Sequence, residues 1–320
     1  MIIGILLFIM FIGILYQYFS VRKEGKLYIP SGRVVDVGHT QLHYYGEGEP
    51  SPTVVFDCGH GVSLSNTDWS LVQPEVAKQA RTIVYDRAGM GLSKKSKKPR
   101  TSEQIVEELH SLLVNSGEEA PYLLVGHSLG ALNMCLFAHK YSEKVAGIVL
   151  IDGGSVDCYR NYFKTPTLLM MTSIMMISIV LNKMGVFRIL GKIGFIPHIN
   201  ERKRKLSDEN SKLDESFFYR HYSNGSMLRE AWQLQRSVEQ LSKVASIGNI
   251  PLTVITAGET EKVYKGWIKS QKTLLSLSTN SSHIILEKSG HFIHLEHPDV
   301  VNEVIKNMIN NLSTKTNAAV

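Results

Sequence analysis

The sequence predicts an α/β fold with a mostly parallel central sheet, helices on both faces and a helical cap insertion. Three observations carry this. Short apolar runs suited to buried strands alternate with longer helix-period runs from Thr53 to Ile151. At the centre of that series, Pro121-Tyr122-Leu123-Leu124-Val125 passes through Gly126-His127-Ser128-Leu129-Gly130 straight into the helical run Ala131 to Ala138. The rhythm stops from Gly153 to about Asn249 and resumes with Pro251-Leu252-Thr253-Val254-Ile255-Thr256, the pattern of an insertion between two parts of one sheet.

Met1 to Phe19 is almost wholly apolar, has no charge before Arg22, and is just long enough to cross a bilayer. Arg22, Lys23 and Lys26 follow it, and Tyr16, Tyr18 and Phe19 supply interfacial aromatics. A secretory signal would place its basic residues first and a small-residue cleavage site last. Residues 1–20 are therefore expected to form a single-pass membrane anchor, with the rest of the chain cytoplasmic by the positive-inside tendency. A cleaved signal or a core-packed helix is the alternative.

Arg33 to Tyr45 alternates as two antiparallel strands with Gly38-His39 at the turn. Thr53 to Phe56 reads as a buried strand running into Asp57-Cys58-Gly59-His60-Gly61-Val62, and Thr82 to Tyr85 as another running into Asp86-Arg87-Ala88-Gly89-Met90-Gly91-Leu92-Ser93. A helix over Ser102 to Val114 and a strand over Val145 to Ile151 flank the central turn. The insertion holds a methionine-rich run, Leu168 to Leu181, the basic run Arg202-Lys203-Arg204-Lys205, and an amphipathic stretch from Trp232 to Val244. A strand at His283 to Leu286 and a helix opening at His297-Pro298-Asp299 close the chain, and the polar tail from Ser313 is expected to fray. The domain reading is a core of 31–152 and 250–313 carrying a cap of 153–249.

A net charge of +6 with 20% charged residues is a mild basic excess. With no zinc spacing, helix-turn-helix pattern or aromatic-rich basic strand, it gives no reading as a nucleic-acid binder. Cys58, Cys135 and Cys158 stand far apart in odd number, which suggests neither a disulfide framework nor a metal knuckle, and Cys58 reads as a small buried hydrophobe. Gly89 and Gly91 lack the spacing of a dinucleotide fingerprint, and the serine chemistry expected below needs no metal or organic cofactor.

Ser128 sits where a strand turns sharply into a helix, clear of the sheet and near the positive helix end. A serine hydroxyl is a poor nucleophile at neutral pH and needs a base within reach, itself oriented by an acid. Among twelve histidines, His291 follows a late apolar strand and Gly290 in a loop that faces the serine turn, so it is the expected base. His127 adjoins the serine but points elsewhere on the turn.

These segments together resemble the α/β-hydrolase superfamily. The resemblance spans roughly Arg33 to Leu312 and rests on four motifs in order: His60-Gly61 with Trp69 nine positions on, Asp86-Arg87-Ala88-Gly89-Met90-Gly91-Leu92-Ser93, the Ser128 turn, and Gly290-His291-Phe292-Ile293-His294-Leu295-Glu296-His297-Pro298. It implies that His291 is the catalytic histidine. Some members place the acid after the strand where Asp152 stands. Most place it after the next strand, which here reads Ala257-Gly258-Glu259-Thr260-Glu261 without an aspartate. Asp152 is preferred and Glu261 is the alternative acid. The amides of Val62 and Leu129 are the expected oxyanion donors.

The resemblance implies a serine hydrolase that cleaves carboxylic esters through an acyl-serine, since haloalkane dehalogenases and epoxide hydrolases use aspartate at the Ser128 position. The expected partners are a small-molecule or lipid ester and, through the N-terminal helix, the membrane. The methionine run can line an acyl pocket, pack the cap core or touch the membrane. Acyl transfer to an alcohol or thiol, and a low-turnover ligand sensor or partner-binding module, are the competing functions.

Overall fold

Alternate residues of the central strands serve two separate cores. Val55, Ile83, Leu124, Ile148, Leu150 and Val254 face one apolar cluster, and Val54, Phe56, Val84, Val125, Val149 and Ile255 face the other, as strand periodicity dictates when both faces are covered. The computed structural model describes residues 2–28, 31–49 and 52–318. Its strands are β1 (Arg33–Asp36), β2 (Gln41–Glu47), β3 (Thr53–Asp57), β4 (Arg81–Tyr85), β5 (Tyr122–His127), β6 (Val145–Ile151), β7 (Leu252–Ala257) and β8 (Ser281–Leu286). They form one sheet in the order β1-β2-β4-β3-β5-β6-β7-β8. β1 and β2 pair antiparallel, β2 joins β4 antiparallel, and every later pairing is parallel.

Helix α1 (Ile2–Leu27) precedes the sheet and runs seven residues past the expected anchor boundary. Short helices α2 (Ser65–Asp68) and α3 (Gln73–Val76) join β3 to β4, while α4 (Ser102–Asn115) and α5 (Leu129–Lys140) flank β5. Helix α4 starts where Thr101 Oγ1 accepts a hydrogen bond from the Gln104 amide. Between β6 and β7 come α6 (Val156–Tyr162), α7 (Thr165–Lys183), α8 (Val186–Lys192), α9 (Pro197–Lys205), α10 (Asp208–His221), α11 (Gly225–Trp232) and α12 (Leu234–Ser242). The stretch from Trp232 to Val244 is thus two helices broken at Gln233. Helices α13 (Thr260–Val263) and α14 (Trp267–Leu275) join β7 to β8, and α15 (Ile293–Glu296) and α16 (Pro298–Ala318) end the described chain.

Helix α16 extends through Ser313 to Ala318. Serine, threonine and asparagine are mediocre helix formers but not breakers, and neither Gly nor Pro follows to stop the helix. The three cysteines are free and buried, with Cys58 inside one of the apolar clusters. The sheet places the carboxyl ends of β3, β5, β6, β7 and β8 along one edge, where the loops holding Val62, Ser128, Asp152, Thr260 and His291 meet beneath the inserted helices.

Candidate active site

Ser128 has φ 53° and ψ −115°, a backbone conformation that a side chain rarely adopts and that surrounding structure must impose. Its amide donates to Ile151 O at 3.1 Å. Two glycines make the turn possible. A Cβ on Gly126 would lie 2.7 Å from the backbone of Ala131, and one on Gly130 would lie 2.5 Å from Asp57 O. Ser128 is half-buried between the buried His127 and Leu129. Leu129 opens α5, so its amide belongs to the first turn, whose N–H groups have no acceptor within the helix.

His291 Nδ1–H donates to Asp152 Oδ2 at 2.7 Å; the imidazole is about a third exposed and the carboxylate is fully buried. Asp152 also accepts from the Ala257 amide at 2.9 Å, Trp267 Nε1 at 2.6 Å and Thr260 Oγ1 at 2.8 Å. The loop after β7 thus supplies donors to an acid from β6. Glu261 stands apart from this group. Its oxygens accept from the Gly266 and Ile268 amides at 2.5 and 2.9 Å, at the start of α14, and those bonds hold its carboxyl below the usual range. Of the two candidate acids, the structure brings Asp152 to His291 and gives Glu261 to a helix end.

Behind the turn lies a second polar group. His127 Nε2–H donates to His291 O at 2.9 Å, and the His127 ring sits 4.6 Å from the His291 ring and 4.5 Å from that of His294. Burial, then the neighbouring His294 and His291, keep His127 well below its ordinary pKa, so it stays neutral. Asp68 faces His294 Nε2 at 3.3 Å and accepts from Arg202 at 2.8 Å. Burial opposes its ionisation, but His294 and then Arg202 outweigh that and hold it well below the usual carboxylate range. Asp68, His127 and His294 are metal-ligating residue types within 4.8 Å of one another. Asp68 Oδ1 is held by Arg202, whereas Asp68 Oδ2, His294 Nε2 and His127 Nδ1 are buried without a hydrogen bond among the described residues.

The cap reaches the core through buried ion pairs that the sequence did not signal. Arg87 donates to Asp57 Oδ1 at 2.8 Å, Cys58 O at 2.7 Å, Gly59 O at 2.8 Å and, across the boundary, Glu230 Oε1 of α11 at 3.1 Å. Glu230 in turn stands 3.5 Å from His60 Nδ1. Arg202, the first residue of the basic run, is buried and paired with Asp214 as well as Asp68. A cavity of about 280 Å³ beside the Val62 loop is bounded by Val62, Ile196, Phe218, Tyr222, Phe292 and Arg202, among others. The methionine run does not line it. Met170 and Met176 of α7 face outward, while Leu168 and Met171 pack against the core; composition alone does not tell which face of an apolar helix is buried.

The model of the alpha/beta hydrolase family matches residues 54–304. YqjL of Bacillus subtilis (strain 168), a protein described as uncharacterized, is 29% identical over 273 residues, covering 83% of this chain and 86% of that one. The (lyso)-N-acylphosphatidylethanolamine lipase of Mus musculus is 22% identical over 326 residues, covering 93% and 87%. Among solved structures, an epoxide hydrolase variant from Bacillus megaterium superimposes with a TM-score of 0.67 at 20% identity, covering 87% of this chain and 100% of that one. With the family model spanning most of the chain and a sheet of this order beneath it, the protein belongs to the alpha/beta hydrolase family and is a hydrolase by fold.

Proposed function

We propose that this hydrolase is membrane-bound and cleaves neutral, lipophilic carboxylic esters through an acyl-serine. The observation that carries the reading is the buried Asp152 carboxylate bonded to His291 Nδ1 beside the strained Ser128 turn. That bond fixes the imidazole tautomer with its proton on Nδ1 and leaves Nε2 as the base. Ser128 Oγ attacks the ester carbonyl while His291 Nε2 takes its proton. The Leu129 and Val62 amides stabilise the developing oxyanion, and His291 returns the proton to the leaving alcohol. Water, activated by the same histidine, then cleaves the acyl-serine.

Three features support a neutral, lipophilic ester. A serine at the turn favours acyl chemistry over epoxide opening, whatever the fold likeness to an epoxide hydrolase. The Arg202 guanidinium bordering the cavity is already shared by Asp68 and Asp214, so it offers no unpaired charge to a substrate carboxylate. The aromatic and aliphatic wall of Val62, Ile196, Phe218, Tyr222 and Phe292 suits an acyl or lipid chain.

The test is labelling of wild-type and Ser128→Ala membranes with a fluorophosphonate probe, followed by peptide mass spectrometry. Modification at Ser128 in the wild type alone is the expected result. A folded wild type that is not labelled would favour the sensor reading. Labelled enzyme that makes new esters from added alcohols in preference to free acid would make it an acyltransferase.

A further inference from the structure

Helix α1 is bolted to the cap along one stripe. A Cβ on Gly13 would overlap Met184 O, so the backbones touch there. Four residues on, Gln17 is only 7% exposed in a helix whose other described side chains are exposed or half-buried; its Nε2 donates to Tyr219 O at 2.6 Å and its Oε1 accepts from Arg188 at 2.7 Å. Arg188, itself buried, also pairs with Glu24, seven residues further along. A glutamine buried by two hydrogen bonds is a docking contact and not a lipid-facing residue.

This attachment conflicts with a simple span. At about 1.5 Å per residue, the free part from Ile2 to Ile12 extends roughly 17 Å, against about 30 Å of hydrocarbon. The whole apolar stretch to Phe19 is long enough only if Gly13, Gln17 and the cap surface that holds them are also immersed. That surface is apolar. Along α7, Leu169, Met170, Ile174, Ile177 and Val180 are each more than half exposed, on the face opposite the buried Leu168, Thr172 and Asn182. Beyond α8, Ile193 and Phe195 are 60% and 74% exposed. Lys192 lies over the Tyr16 ring at 5.4 Å, Lys183 adjoins the Met184 that Gly13 touches, and Arg22, Lys23 and Lys26 follow on the last turns of α1, a basic complement suited to anionic headgroups.

We infer that α1, α7 and the end of α8 form one monotopic platform that sinks the cap into a single leaflet of a phospholipid bilayer. This rests on the proposed membrane attachment and replaces the expected single-pass topology. It also gives the cavity a source of substrate. Phe195 faces outward while the adjacent Ile196 borders the cavity, so leaflet and cavity meet across one residue.

The test uses the full chain in phosphatidylcholine and phosphatidylglycerol vesicles. Single cysteines for spin labelling are placed by Ile5→Cys, Ile177→Cys and Phe195→Cys, with Glu143→Cys as a control at the far end of the core; the three native cysteines are buried. Oxygen and a water-soluble nickel chelate report immersion and exposure. Oxygen access at the first three sites, with nickel access only at Glu143→Cys, is expected. Immersion at Ile5→Cys with nickel access at Ile177→Cys and Phe195→Cys overturns the platform but keeps the anchor. Nickel access at all four overturns the membrane reading itself. Exclusion of both reagents from α7, with spin–spin broadening, overturns the platform in favour of a second copy of this chain on that face.

Discussion

Arg87 and Glu230 meet across the boundary between core and cap at 3.1 Å, both nearly fully buried and 143 residues apart in sequence. Arg87 also holds the Cys58 and Gly59 carbonyls, so one guanidinium supports the loop carrying His60 and Val62 and the cap above it. Glu230→Ala would leave Arg87 partly unpaired, and a loss of about 3–5 kcal/mol in urea unfolding is expected. Glu230→Gln, which keeps a hydrogen-bond acceptor, should lose less. In both, kcat should fall more than KM rises, because the loop carrying the proposed oxyanion donor Val62 loses its support. Unchanged kinetics in a folded Glu230→Ala protein would remove this pair from the machinery.

The same pair gives an acid limit. Burial alone would raise the Glu230 carboxyl, but Arg87 and then His60 outweigh it and bring it down to about 2. Since the folded value lies below the ordinary 4.5, the contribution is fully present above about pH 4.5. It is lost as pH falls from there towards 2 and is on the order of 3 kcal/mol. Melting curves between pH 3 and 6 should show a smaller acid-induced drop in Tm for Glu230→Gln than for the wild type.

Asp152→Asn should lower kcat about 10⁴-fold, since the amide misorients the imidazole tautomer that the carboxylate fixes. Glu261→Gln should keep turnover and cost roughly 0.5–2 kcal/mol through the start of α14. Steady-state rates of the two purified variants decide between the acids. Full activity in Asp152→Asn would reverse the assignment.

Gly130→Ala places a methyl 2.5 Å from Asp57 O, where only backbone can yield. A destabilisation of about 1–3 kcal/mol is expected, with loss of probe labelling at Ser128 in protein that remains folded. Retained labelling would mean that the turn tolerates a shift.

Much of this site was legible because its residues sit at strand ends, where local patterns are strong. Ser128 lies between two glycines, His291 follows a glycine after β8, and Asp152 closes an apolar run. The preference for Asp152 over Glu261 rested on the resemblance alone, because the pairing depends on which loop packs against which, and Trp267 and Thr260 carry no motif for holding a carboxylate. Glu230, Asp68 and Arg202 were hidden for the same reason: each looks like an ordinary surface charge until the cap folds over it. The outward face of α7 was invisible because a helix apolar all round gives no periodic signal.

Asp152 makes four hydrogen bonds, from Ala257, Trp267, Thr260 and His291, which fill the acceptor positions of its two oxygens. A carboxylate so held has no vacancy for solvent and no freedom to swing. In the proposed cycle, positive charge rises and vanishes on His291 twice per turnover, and each time it meets dipoles whose orientation was fixed during folding. The work of polarising the surroundings is therefore done once, when the chain folds, and not repeated with every ester cleaved.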